Sequence, residues 1–198
     1  MPKITDVRFD DCQDSPYIRP KRMHFLQDGQ PRAWDMVHVH DTVAILLFDR
    51  SREELILVRQ FRPPVYLRND DGYTYELCAG LVDKDKSLEE IIQDEAWEEC
   101  GYRIPLAEIH KMNSFYTSIG FAASRQTIFY AFVDQSMQYS DGGGNAHERE
   151  QIEVVRLPIQ EARALIYNEA IAKTSGLMYA FYWFFEQFYP QLLVTSQP

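Results

Sequence analysis

The stretch Gly80–Tyr102, GLVDKDKSLEEIIQDEAWEECGY, decides how the rest of the chain is read. Ser87 and Glu90 form an S-x-x-E capping box, in which two side chains satisfy amides that a first helical turn leaves open, and Gly101 supplies a left-handed stop. The spacing predicts a helix over Leu88–Cys100. On its wheel Leu88, Ile91 and Ile92 make an inward stripe, and the same stripe runs on to Glu95, Glu98 and Glu99. Acids stand where packing asks for leucine. Three carboxylates at i, i+3 and i+4 repel one another and are costly to bury without partners, so they demand compensating positive charge. A hard divalent cation such as Mg²⁺ meets that demand, because it prefers oxygen ligands and keeps positions for phosphate oxygens. E-x-x-E-E alone also describes an ordinary solvated helix face. The continued apolar stripe, and the strand, glycine and loop ahead of it, favour the metal reading. Glu89, Glu90, Gln93 and Asp94 fall on the opposite, solvated face. Trp97 falls there too, and its packing is expected from another element such as the aromatic-rich C-terminal helix.

Working outward, the segment Tyr73–Ala79 reads as a strand ending at Gly80, preceded by the turn Asn69-Asp70-Asp71-Gly72. The apolar runs Thr42–Phe48 and Leu55–Phe61 read as buried strands of one sheet, and Pro63-Pro64 stops the second. Further strands are expected at Lys111–Tyr116, Thr127–Val133 and Ile152–Leu157, the last two separated by a loop containing Gly142-Gly143-Gly144. Two helices, Ile159–Ala172 and Leu177–Phe188, close the chain. Residues 1–39 form a separate N-terminal module: Lys21–Leu26 and Ala33–Val39 flank the turn Gln27-Asp28-Gly29-Gln30 as an antiparallel hairpin. A hairpin is marginal alone, so it packs on the main domain, residues 40–198, or on a second subunit.

Composition excludes several classes. A net charge of −10 repels a polyanion, which argues against a nucleic-acid polymer as partner and for a small phosphorylated ligand held by a few arginines and by cations. No run approaches the length of a membrane span, and the first twenty residues lack the apolar core of a signal peptide. Three cysteines without metal-finger spacing point to a reducing compartment, with the cytoplasm expected.

Gly80, Glu95, Ala96, Glu98, Glu99, Gly101 and Tyr102 fall without gaps on the pattern G-x5-E-x7-R-E-U-x-E-E-x-G-U, U being apolar, and the segment resembles the Nudix box. Two positions depart from it: Lys86 stands where that pattern has its first Glu, and Asp94 where it has Arg. The pair either keeps a loop-to-helix ion pair with its polarity exchanged or consists of two unrelated solvated residues. The resemblance widens through Ser15–Pro20, Gln60-Phe-Arg-Pro63, Glu76–Asp83, Ser124-Arg-Gln-Thr127 and Glu153–Pro158, which look like the UDP-glucose (UDP-sugar) diphosphatase branch, related to the ADP-ribose pyrophosphatases.

That resemblance implies an α/β fold, the Nudix α/β/α sandwich with a mixed sheet, in a homodimer exchanging N-terminal strands. It implies Mg²⁺-dependent hydrolysis, with Mn²⁺ a substitute, of a nucleoside diphosphate sugar: UDP-glucose to UMP and glucose 1-phosphate. The open alternatives are an ADP-ribose pyrophosphatase and a nucleotide-binding protein that has lost catalysis. Glu95 and Glu99 would be principal metal ligands, Glu98 an auxiliary one and the Ala79 carbonyl a backbone ligand, with Glu99 also counted among the catalytic residues. The general base would lie in the loop before the last strand, Glu150 first and Glu148 second. Arg62 is a candidate phosphate or dimer contact, since its planar fork suits phosphate oxygens. Arg125 ends a loop, Tyr116–Arg125, that resembles a substrate-recognising loop of the ADP-ribose enzymes but has Ser124 in place of its Glu. The five histidines show no zinc-type pairing, and Cys100 reads as a buried thiol.

Overall fold

The structure, a computed structural model, describes residues 4–145 and 150–190. The strands are β1 (Arg19–Gln27), β2 (Gln30–His38), β3 (Thr42–Asp49), β4 (Glu54–Phe61), β5 (Tyr73–Glu76), β6 (Cys78–Leu81), β7 (His110–Thr117), β8 (Ser124–Val133) and β9 (Ile152–Pro158). The helices are α1 (Pro63–Asn69), α2 (Leu88–Cys100), α3 (Ile159–Tyr167) and α4 (Ser175–Phe188).

β3 sits at the centre of a mixed sheet ordered β5-β4-β3-β8-β7, with β6 also on β3 and β9 also on β4. β3 and β8 run parallel, and the other pairs are antiparallel. The unbroken apolar run of β3 is explained by burial on both faces. Val43, Ile45 and Leu47 pack with Ile91, Ile92, Ala96 and Cys100 of α2, while Ala44, Leu46 and Phe48 pack with α3 and α4. β4 divides the same way, with Ile56 and Val58 towards α2 and Leu55 and Leu57 towards α3 and α4. Each of the valines, leucines and isoleucines among them, and Phe48, contributes about 1.5–3 kcal/mol when fully buried. The result is the expected α/β/α sandwich.

β1 and β2 close around Asp28 and Gly29, both at positive φ as a primed turn requires, and form a two-stranded sheet of their own. The Val37 amide donates to the Phe121 carbonyl at 2.8 Å and the Trp34 indole N–H to the Gly120 carbonyl at 2.9 Å, which fastens the hairpin to the β7–β8 loop.

Four expectations need correction. The strand expected over Tyr73–Ala79 is two strands, because the chain changes neighbours at Leu77: β5 pairs with β4, and β6 with β3. Pro63-Pro64 does end β4, but it also starts α1, occupying first-turn positions where a missing N–H costs nothing. α3 stops at Tyr167 instead of continuing to Ala172. Asn168 turns extended, and the chain is drawn back to the sheet edge, where the Tyr75 amide donates to the Ala172 carbonyl at 2.9 Å. Finally, Trp97 meets the Arg103 guanidinium, 4.4 Å above its ring, and not the C-terminal helix, which covers the other face of the sheet.

Candidate active site

The site lies where α2 crosses the β6 edge. Its helix is placed by the capping box, in which the Glu90 amide donates to Ser87 Oγ and Glu90 accepts from the Ser87 amide, and by Gly101 in the left-handed region at the other end. A cleft of about 290 Å³ opens there, lined by Thr42, Gln60, Arg62, Ala79, Gly80, Asp83, Lys84, Glu95, Glu98, Glu99 and Glu150 among others. Gly80 is required by close approach: a Cβ would collide with the Glu95 carboxylate.

Glu99 is 3% exposed and takes a 3.0 Å hydrogen bond from the Ala79 amide. Burial pushes its carboxyl up to about 8, against hydrogen bonds from Cys78 and the Ala79 amide that favour the charged form. Glu95 is pushed up to about 7, again chiefly by burial, although Lys84 Nζ stands 3.5 Å from its Oε1. Glu98 Oε2 accepts from Asn145 Nδ2 at 3.3 Å. The buried end of the helix therefore holds carboxyl groups whose demand for positive charge the protein meets only in part.

Five carboxylates line the cleft against Arg62 and Lys84, a balance that would repel a diphosphate unless cations bound with it. The all-oxygen donor set suits a hard divalent ion, and the raised carboxyls of Glu95 and Glu99 are the signature expected where such an ion supplies the missing charge. Among the described residues no three acidic, histidine or cysteine side chains converge on one point; each helix carboxylate is engaged with a different partner, Lys84, Asn145 or the Ala79 amide. The residues fit a divalent cation by the chemistry of their oxygen donors and by lining one cleft.

Arg62 reaches the cleft, but its fork is already engaged: Nε and Nη2 donate to Glu76 Oε1 and Oε2, both at 2.8 Å, and Thr74 Oγ1 donates to the same carboxylate. Arg125 is not brought into this cleft; its amide donates to Asp41 Oδ1 at 2.8 Å and its Nε to Ser114 Oγ at 2.6 Å. Glu150 lines the cleft, whereas Glu148 and His147 lie outside the described residues. Lys86 Nζ lies 2.5 Å from Asp94 Oδ2, so the two departures from the box do face one another as an exchanged ion pair. Cys100 is buried as expected, beside Cys78, whose thiol burial pushes up.

Sequence reasoning gave no role to Lys84, Glu76 or Asn145. For Glu76 a signal was present: in β5 the inward positions are Thr74 and Glu76, polar residues in the buried phase of a strand. For Lys84 and Asn145 there was none, since both sit in loops without periodicity.

Residues 38–176 match the NUDIX domain family. The chain is 40% identical over 219 residues to the uridine diphosphate glucose pyrophosphatase NUDT14 of Mus musculus, covering 97% of this chain and 99% of that protein. It is 39% identical to the protein of the same name from Bos taurus over the same shares. A GDP-mannose pyrophosphatase of Pectobacterium atrosepticum is 40% identical over 139 residues, 70% of this chain and 69% of that one.

Proposed function

The chain belongs to the Nudix family, and from that premise we propose that it hydrolyses the pyrophosphate bond of a nucleoside diphosphate sugar, UDP-glucose yielding UMP and glucose 1-phosphate. The observation that carries the reading is the row Glu95, Glu98 and Glu99, with Glu99 buried and the other two half-buried, at a cleft that also holds Arg62 and Lys84. Near full-length similarity to UDP-glucose pyrophosphatases supports the substrate.

Glu95 and Glu99 are the principal ligands of a divalent ion, Mg²⁺ with Mn²⁺ as a substitute, and Glu98 and the Ala79 carbonyl assist. When bound, the ion neutralises charge on the phosphate oxygens and so lowers the barrier to attack. Glu150 takes a proton from the attacking water as its oxygen forms a bond to one phosphorus. The bond from that phosphorus to the bridging oxygen breaks, and its electrons leave with the departing phosphate. Arg62, held by Glu76, and Lys84, beside Glu95, stabilise phosphate charge within the same cleft. Arg125 would act on substrate only outside this cleft.

The hairpin supports a homodimer. Met23 and Trp34, cross-strand partners on one face, are 52 and 56% exposed, and Leu26 is 71% exposed, apolar side chains that a second copy could cover. No helix among the described residues is long and apolar enough to cross a membrane, and the free thiols of Cys78 and Cys100 support a reducing compartment such as the cytosol.

The test is release of UMP and glucose 1-phosphate from UDP-glucose with Mg²⁺, with kcat/KM compared against GDP-mannose and ADP-ribose. UDP-glucose should lead. Binding of nucleotide without turnover under these conditions would refute the catalytic reading, and a preference for ADP-ribose the substrate.

A further inference from the structure

The described segment of residues 142–145 is fastened to α2 in a way that gives the triple glycine a purpose. A helix ending at Cys100 leaves its last carbonyls without intrahelical donors. The Gly143 amide donates to the Glu99 carbonyl at 2.9 Å and the Gly144 amide to the Glu98 carbonyl at 3.1 Å, so the backbone strap closes the same turn whose side chains face the cleft. All three glycines have positive φ, and a Cβ on Gly142 would collide with the Glu99 carbonyl.

Beyond the glycines, Asn145 touches both halves of the site. Its Nδ2 donates to Glu98 Oε2 at 3.3 Å, its amide donates to Glu150 Oε2 at 3.0 Å, and its carbonyl accepts from the Glu150 amide at 3.3 Å. Gly144 lies flush against the same glutamate: a Cβ there would stand 2.8 Å from Glu150 Cβ and 3.0 Å from its Oε2. Neither residue offers a group that performs chemistry.

We propose that Gly144 and Asn145 are positioning residues that fix Glu150 over the carboxylate face of α2, the strap transmitting the position of the helix end to the base. The inference rests on the reading of Glu150 as that base. It predicts that displacing Glu150 from behind lowers turnover as effectively as altering its carboxylate, without loss of substrate binding.

The two neighbouring glycines supply a matched comparison. Gly144→Ala and Gly143→Ala both force alanine into the left-handed region, at φ of +90° and +115°, but a Cβ on Gly143 meets nothing nearer than the Ile152 carbonyl at 3.8 Å. Gly144→Ala should lower kcat at least tenfold with KM changed less than threefold. Gly143→Ala should lower kcat less than threefold at a similar loss of thermal stability. Asn145→Ala, which removes the side-chain tie to Glu98 and keeps the backbone groups that meet Glu150, should fall between them. In a Glu150→Gln background the effect of Gly144→Ala on kcat should vanish, because the group it displaces is already disabled. Wild-type turnover by Glu150→Gln would overturn the base reading, and this proposal with it. If Glu150→Gln is crippled but Gly144→Ala matches Gly143→Ala, or its effect persists in full in the double variant, the positioning proposal alone is overturned. Should Gly144→Ala fail to fold, Asn145→Ala in both backgrounds gives the same decision.

Discussion

Replacing Glu99 by Gln should stabilise the metal-free protein at alkaline pH while abolishing turnover. The carboxyl is pushed from its ordinary 4.5 to about 8 by burial, so the folded chain keeps a proton that the unfolded chain releases. Below pH 4.5 both states are protonated and stability is fully present. Between 4.5 and about 8 it falls, and above that the loss is complete. At roughly 1.4 kcal/mol per pH unit the full range corresponds to about 5 kcal/mol. Solvent in the adjoining cleft reduces this, and a decline of about 2–3 kcal/mol between pH 5 and pH 8 is the expected outcome. Gln has nearly the same shape and can still accept from the Ala79 amide, so Glu99→Gln should match the wild type at pH 5 and exceed it by about 2 kcal/mol at pH 8. Urea unfolding in chelator, followed by fluorescence of the three tryptophans, measures both. Adding Mg²⁺ at pH 8 should restore stability to the wild type and do little for the variant. A wild type equally stable at both pH values, or a variant weaker than the wild type at pH 8, would refute the claim that this buried carboxyl carries an unmet demand for charge.

Gly80→Ala should leave the fold cooperative but displace the Glu95 carboxylate, weakening Mg²⁺ uptake and lowering kcat/KM at least tenfold, as read by calorimetry and product release. Lys86→Ala and Asp94→Ala should show a small coupling in a double-mutant cycle, about 0.3–1 kcal/mol, because their side chains are 46 and 34% exposed and water screens the pair; strict additivity would deny it any energetic role. Glu76→Gln should raise KM for UDP-glucose several-fold with a smaller change in kcat, since it loosens the fork that holds Arg62 without touching the helix carboxylates; an unchanged KM would remove Arg62 from phosphate binding.

The parts of the molecule legible in its sequence are those where periodicity and chemistry disagree in an informative way. α2 could be bounded to the residue because a capping box and a left-handed glycine frame an apolar stripe. Its site face could be read because glutamates take over that stripe in phase. β3 could be read as buried because its apolar run never alternates. Where one signal carried two meanings, reading failed: the prolines at 63 and 64 end a strand and begin a helix, and Tyr73–Ala79 is continuous in sequence although it changes partners at Leu77. Trp97 is a different kind of miss. Helical phase says which way a side chain points, but only the order of layers says what it meets, and α4 lies across the sheet. Lys84 and Asn145 were out of reach, because loop backbone brings them to the site.

The two-faced burial of β3 has a consequence for how errors are tolerated. Adjacent residues of that strand belong to different hydrophobic interiors, so a shift of one place against β8 or β6 would swap Val43, Ile45 and Leu47 with Ala44, Leu46 and Phe48 and misfill both at once. Alignment is thus checked twice, by two independent sets of partners. β6, which pairs with the same strand and carries Ala79 and Gly80, inherits that double check, and the floor of the cleft is registered by interiors that never touch a substrate.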